Sequence, residues 1–227
     1  RPNNPPFMIP SLGVRSAGDP VIAWAESDGV AESIYVQEWT AGQWHPIGAA
    51  LSAVPGATDA SFPSLALKTN GTPVVAWEES DGAVSSIYVR QWSNGSWQQL
   101  GPPLSAIAGT TDARNPVMEL DSGGNPIVVW RENGGSTLDT YVWRWTGSTW
   151  EALGSALSAY PGDTSVQDGA IAIDPSGNPI VAWSESGPNG FVVHVRRWTG
   201  SSWEVLGGPL PNSQNSYHTE GLSLKLT

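Results

Sequence analysis

Twelve of the 13 tryptophans in this 227-residue chain stand on a grid with a spacing of 53 residues. Trp24, Trp77, Trp130 and Trp183 form one column. Trp39, Trp92, Trp145 and Trp198 form a second, and Trp44, Trp97, Trp150 and Trp203 a third; only Trp143 is extra. Pro20, Pro73, Pro126 and Pro179 keep the same step. So do Gly18, Gly71, Gly124 and Gly177, then Gly48, Gly101, Gly154 and Gly207, and Glu26, Glu79, Glu132 and Glu185. Seven columns aligned four times mean internal duplication, and a long fixed period restricts the fold more than any single motif does. The copies cover about 10–62, 63–115, 116–168 and 169–219. Leu222-Ser-Leu-Lys225 matches Leu65-Ala-Leu-Lys68, which reads the fourth copy as two residues short near 212–219 and starts a fifth with an extra strand at 220–227. No shift of composition divides the chain, so 1–227 reads as a single domain.

The second copy shows what one unit contains. Residues 63–68 alternate as a strand, and Asn70-Gly71 marks a tight hairpin turn. Residues 74–79 are nearly all apolar, as suits a strand covered on both faces. Residues 87–92 give a third strand, Asn94-Gly95 a second hairpin turn, and residues 97–101 a fourth strand. A longer connection leads to the next copy. No segment carries helical periodicity. Four antiparallel strands per copy, short hairpins and one long connection predict an all-β propeller of four-stranded antiparallel blades, with four full repeats plus one extra C-terminal strand. The ring could close within one chain, close with a second chain in a homo-oligomer, or be cut from a longer protein.

Composition removes several classes of function. Ten Lys and Arg against 21 Asp and Glu leave a net charge of −11, which argues against nucleic acid or an anionic membrane as partner. No cysteine is present, so disulfides, thiolate metal sites and a cysteine nucleophile are excluded. His45, His194 and His218 are too scattered for a standard histidine metal site. No cofactor is expected; calcium at Ser27-Asp28-Gly29 and Ser80-Asp81-Gly82 is a minor alternative, since the later copies lose the acid. No apolar run reaches the roughly 20 residues of a membrane span. The opening Arg1-Pro-Asn-Asn-Pro-Pro suggests a trimmed start, and a secreted or cell-surface location is the expectation. No Gly-x-Ser-x-Gly elbow, P-loop or His-Glu-x-x-His occurs, and no copy holds a large insertion. A non-enzyme is therefore expected.

The recurring Glu lies two residues after Trp, on the same face of its strand. The long connections add Asp59 and Asp112 at matching positions, which become Ser165 and His218 in later copies. One rim should then be acidic and aromatic. Carboxylates accept hydrogen bonds from sugar hydroxyls, and an indole face stacks on the apolar side of a sugar ring. The candidate ligand-binding residues are Trp24, Glu26, Asp59, Trp77, Glu79, Asp112, Trp130, Glu132, Trp183 and Glu185. Packing between blades is the plainer role for the tryptophans, and capping of the long connection is the plainer role for the glutamates.

The words Gly-Asn-Pro-Ile-Val-Ala-Trp-Ser-Glu-Ser (177–186) and Arg-Arg-Trp-Thr-Gly-Ser-Ser-Trp (196–203) give the chain a resemblance to bacterial tandem-repeat β-propellers that include propeller lectins. The patterns of the WD40, kelch and Asp-box propellers are absent. The resemblance implies a carbohydrate ligand held by an Arg, a Glu and an aromatic from neighbouring blades. Arg90 and Arg196 match the first of these, with Gln37 and Trp143 at the same position in the other copies. The leading expectation is a lectin-like propeller with repeated sites between blades. The alternative is a protein-interaction or structural scaffold.

Overall fold

Strands form where β-branched and aromatic residues alternate, and they stop where Asn, Asp and Gly permit tight turns. The computed structural model describes residues 9–134, 137–162, 164–187, 190–211 and 222–225. The first copy gives β1 (Ser11–Val14), β2 (Pro20–Ser27), β3 (Glu32–Thr40) and β4 (Gln43–Pro46). The second gives β5 (Ala60–Leu67), β6 (Pro73–Ser80), β7 (Ser85–Ser93) and β8 (Ser96–Gln99). The third gives β9 (Ala113–Leu120), β10 (Pro126–Asn133), β11 (Leu138–Trp145) and β12 (Trp150–Ala152). The fourth gives β13 (Val166–Ile173), β14 (Pro179–Gly187), β15 (Gly190–Trp198), β16 (Trp203–Val205) and β17 (Leu210–Pro211). Each copy is an antiparallel meander in chain order, and successive meanders stack as the blades of a propeller. At the β7–β8 turn Asn94 and Gly95 have φ of 50° and 77°, the left-handed pair that a tight hairpin demands.

The innermost strands begin earlier than the alternation predicts. β5 pairs Ala60 with Glu79 and Ser61 with Glu78, then slips, and the ladder resumes at Ser64–Ala76. Phe62 and Pro63 form the bulge, where Phe62 takes φ 50°; Asn115 repeats this in β9 at φ 53°. Proline cannot donate to a ladder, so a bulge is where it is accommodated.

The core lies between blades. One apolar cluster joins the first and second (Val21, Ile34, Leu51 with Leu65, Val75, Trp77). A second joins the second and third, and a third joins the third and fourth. Among the described residues the first and fourth blades are not joined as the other neighbours are. Leu12, at the position of Leu65, is 63% exposed against 7%.

Leu222 lines the axial cavity beside Pro63, Pro116 and Gly169, each 53 residues from the last. The two-residue loss expected near 212–219 falls outside the described residues. No ladder pairing is formed by residues 222–225. The rest of the expected strand, and His218, lie outside the described residues.

Candidate functional site

Two sets of polar groups compete for the site; the repeated Glu and the varying residue before it point to opposite faces of one strand, and further varying residues come from the innermost strands. The repeated set comes first. Glu79 projects from the end of β6 into the long connection of the preceding blade. Its Oε1 accepts bonds from the Ser52 and Thr58 hydroxyls, both at 2.6 Å, and from Val54 N at 3.1 Å. Its Oε2 accepts from Ala53 N at 2.7 Å and from the Trp77 indole at 2.8 Å. Five donors saturate the carboxylate. Glu132 is held likewise by Ser105, Ala106, Ile107, Thr111 and Trp130. Glu185 is held by Ser158, Ala159, Tyr160, Thr164 and Trp183. Burial acts to raise the pKa of each, but the hydroxyl, indole and backbone donors outweigh it and hold all three below the ordinary carboxylate value.

The structure brings the expected Arg, Glu and aromatic together, yet as a closed group. Arg90 lies over the Trp77 ring at 5.4 Å and donates to Ser52 O at 3.2 Å. Arg196 does the same to Trp183 and Ser158 O. In the third blade Trp143 takes that place, edge-on to Trp130 at 5.8 Å. Trp77, Trp130 and Trp183 are at most 1% exposed. The sites expected between blades are filled by protein at all three joints, because each joint uses the Trp and Glu to clamp the neighbouring chain segment. Only Trp24 and Glu26 remain open, with the indole bonded to its own glutamate at 2.8 Å. Asp59 and Asp112 accept from Glu32 N at 2.9 Å and Ser85 N at 2.8 Å. Ser165 accepts from Leu138 N in the same way, so the Asp-to-Ser change keeps the contact. Asp28 and Asp81 each bond their own turn through Oδ1, and no cluster of three metal-ligating side chains occurs among the described residues.

The unrepeated set was missed in the sequence. It flanks the invariant Trp and Glu, in columns where the residue changes with each copy: Ala25, Glu78, Arg131 and Ser184 in one, Ser61, Arg114 and Gln167 in another. These changes gather at the bulged mouth of the central axis. Glu78 accepts from Asn115 N at 2.6 Å. Arg131 donates to Asn115 Oδ1 at 3.3 Å and to Gln167 Oε1 at 3.2 Å, while its Nε is buried without a partner. Burial pushes the Glu78 carboxyl up, against the pull of the Asn115 N–H and of Arg114 and Arg131. Side chains from three blades thus form one chain of polar contacts.

Two cavities open beside this network. One, of about 320 Å³, is lined by Thr110, Thr111, Asp112, Arg114, Arg131, Asn133 and Leu138. Asp112 and Arg114 pair in its lining at 2.8 Å, both partly exposed. The other, of about 300 Å³, is the axial mouth, bounded by Phe62, Pro63, Asn115, Pro116 and the tail residue Leu222. Both reach the lower end of the volume range usual for small-ligand sites. The first offers two guanidinium groups, a carboxylate and the Thr110 hydroxyl at one opening.

No protein-family model matches the chain, and no curated relative matches it. Among solved structures, an ulvan lyase of polysaccharide lyase family 25, bound to a glucuronic acid–sulfated rhamnose unit, aligns with a TM-score of 0.65 and 14% identity over 94% of this chain. An α-L-arabinanase of Penicillium chrysogenum complexed with arabinobiose aligns with a TM-score of 0.58 and 12% identity over 88%. A protein of unknown function from Dyadobacter fermentans aligns with a TM-score of 0.61 and 16% identity over 88%. The chain spans 58, 66 and 69% of those three structures. At such identities the likeness shows the propeller fold. It also corrects the expectation of a non-enzyme: the neighbours include hydrolases and lyases, so even blades are no argument against catalysis. No sequence-family match supports the lectin resemblance.

Proposed function

We propose that the chain binds carbohydrate in the cavity lined by Asp112, Arg114 and Arg131. The observation that carries this reading is the placement of the repeat's polar departures. A purely structural propeller has no need to vary Glu78, Arg114, Arg131 and Gln167 around one mouth beside two cavities. The chemistry suits a sugar: guanidinium groups and the Thr110 hydroxyl donate, Asp112 accepts, and charge-assisted bonds give the stronger contacts. Two arginines favour an acidic sugar over a neutral one. Several neighbours of this fold act on polysaccharides or hold sugars, which supports the class of ligand.

Acidic and neutral oligosaccharides, incubated with the protein and followed both for binding by calorimetry and for product by chromatography, test this. The expected result is saturable binding that Arg131→Ala and Arg114→Ala weaken at least ten-fold, about 1.4 kcal/mol, while Glu26→Gln leaves it unchanged. Binding that survives both arginine changes removes this cavity as the site.

A further inference from the structure

We propose that the exposed face of the first blade is docked by the fourth blade of a second copy of this chain. The warrant is a joint that the chain builds three times and leaves as two separated halves.

Each joint has a leading half and a trailing half. In the first joint, the first blade supplies the Gly48 turn, the Ile47 carbonyl and Leu51. The second blade supplies Leu65, the Trp77–Glu79 clamp and the Trp92/Trp97 pair. The Trp97 indole donates to Ile47 O at 2.9 Å. Trp92 packs so closely on Gly48 that a Cβ there would lie 2.4 Å from the ring. Trp150 to Leu100 O and Trp203 to Leu153 O repeat the bond at 2.6 Å.

The first blade carries a trailing half on which no other blade packs among the described residues. Leu12 is exposed, Glu26 is exposed, and Trp39 and Trp44 are among the more open indoles of the molecule. The fourth blade carries a leading half on which no other blade packs among the described residues. Gly207 keeps the left-handed φ of 74° that Gly48, Gly101 and Gly154 share, but no atom lies within 4 Å of a Cβ built there. Leu210 pairs with Val193, as Leu51 pairs with Ile34, yet it is 56% exposed where Leu51 is 1%. The face that fits Trp44 and Leu12 is therefore the face that Gly207 and Leu210 present. A second copy offers it with the same backbone geometry as the internal joints. One departure is visible in the sequence: Pro211 stands where Ser52, Ser105 and Ser158 donate to the glutamate, so Glu26 would lose one hydroxyl donor there. The contact is head-to-tail, and two copies that each use both ends close on themselves.

Sedimentation of the 227-residue chain from 1 to 100 µM tests this, with two variants at exposed positions, Leu12→Lys and Leu210→Lys. Circular dichroism confirms that each variant folds. The expected result is wild-type association toward twice the 24.0 kDa chain mass. Each variant alone should stay monomeric at 100 µM. An equimolar mixture of the two should regain a dimer, because one retains the leading half and the other the trailing half. A wild type that stays monomeric at 100 µM overturns the proposal. So does a Leu210→Lys variant that still dimerises alone, which would mean that first-blade faces meet each other.

Discussion

Glu78 and Glu79 are adjacent in sequence, emerge from one strand, and differ in almost every physical respect. Glu79 faces backward into the preceding blade, accepts five hydrogen bonds and recurs in every copy. Glu78 faces the following blade, has its carboxyl pushed up by burial, and is replaced by Ala, Arg and Ser elsewhere. The joint repeats because every blade must be clamped to the one before it. The axial mouth varies because only one cluster of side chains has to form there. A period of 53 residues hides this contrast, since it draws the eye to the columns that do not change.

The largest effect should come from cutting the joint. Trp130→Ala removes a fully buried indole and should cost about 3–5 kcal/mol in chemical denaturation. Trp24→Ala removes the same residue from the open face and should cost no more than about 1 kcal/mol. Equal losses would mean that the first blade is covered in solution.

Glu132→Gln should come next. It replaces a carboxylate that accepts charge-assisted bonds from both sides of the joint, at about 2 kcal/mol. Glu26→Gln should lie within about 0.5 kcal/mol of wild type. A similar cost for both would assign the glutamate's effect to its own strand, not to the joint.

Acid should dissolve the same difference. The folded pKa values of Glu79, Glu132 and Glu185 lie below the unfolded value of about 4.3. Their stabilisation is complete above that value and is lost as pH falls through the lowered folded values. Melting temperature should therefore hold from pH 7 to 5 and fall below about 4.3, and Glu132→Gln should flatten part of that fall. An unchanged slope in the variant would place the acid sensitivity elsewhere.

The smallest effect on stability should come from the mouth. Arg131→Ala removes two long hydrogen bonds and an unpartnered Nε, and melting should move by less than about 1 kcal/mol while sugar binding falls. A larger loss of stability than of binding would return Arg131 to a structural role.

The propeller was legible because its signal is local and repeated. Alternating apolar residues, Asn-Gly turns and a fixed period each report on a few neighbouring residues, and four copies average out their noise. The aromatic pairs at the hairpins were legible for the same reason. Trp92 and Trp97 meet edge-on at 5.4 Å across the turn that joins their strands. The closed state of the repeated Trp and Glu was legible as the plainer of two roles, but which copy stays open was not. Trp24 with Glu26 and Trp77 with Glu79 share the same local words, and only the blade in front of the second pair buries it.

The axial mouth was hidden by a second cause. Phe62 and Asn115 take positive φ in the bulges at Pro63 and Pro116, and the side chains that meet there belong to different copies. The hydrogen bonds from Leu65 N to Ser11 Oγ and from Met118 N to Ser64 Oγ span 54 residues in sequence. By itself the sequence determined the strands, the turns and the repeat, because those depend on side-chain period and backbone preference within one copy. The tertiary structure decided which identical residues are closed and which are open. It also decided which variable residues converge, because both depend on surfaces supplied by another copy of the repeat.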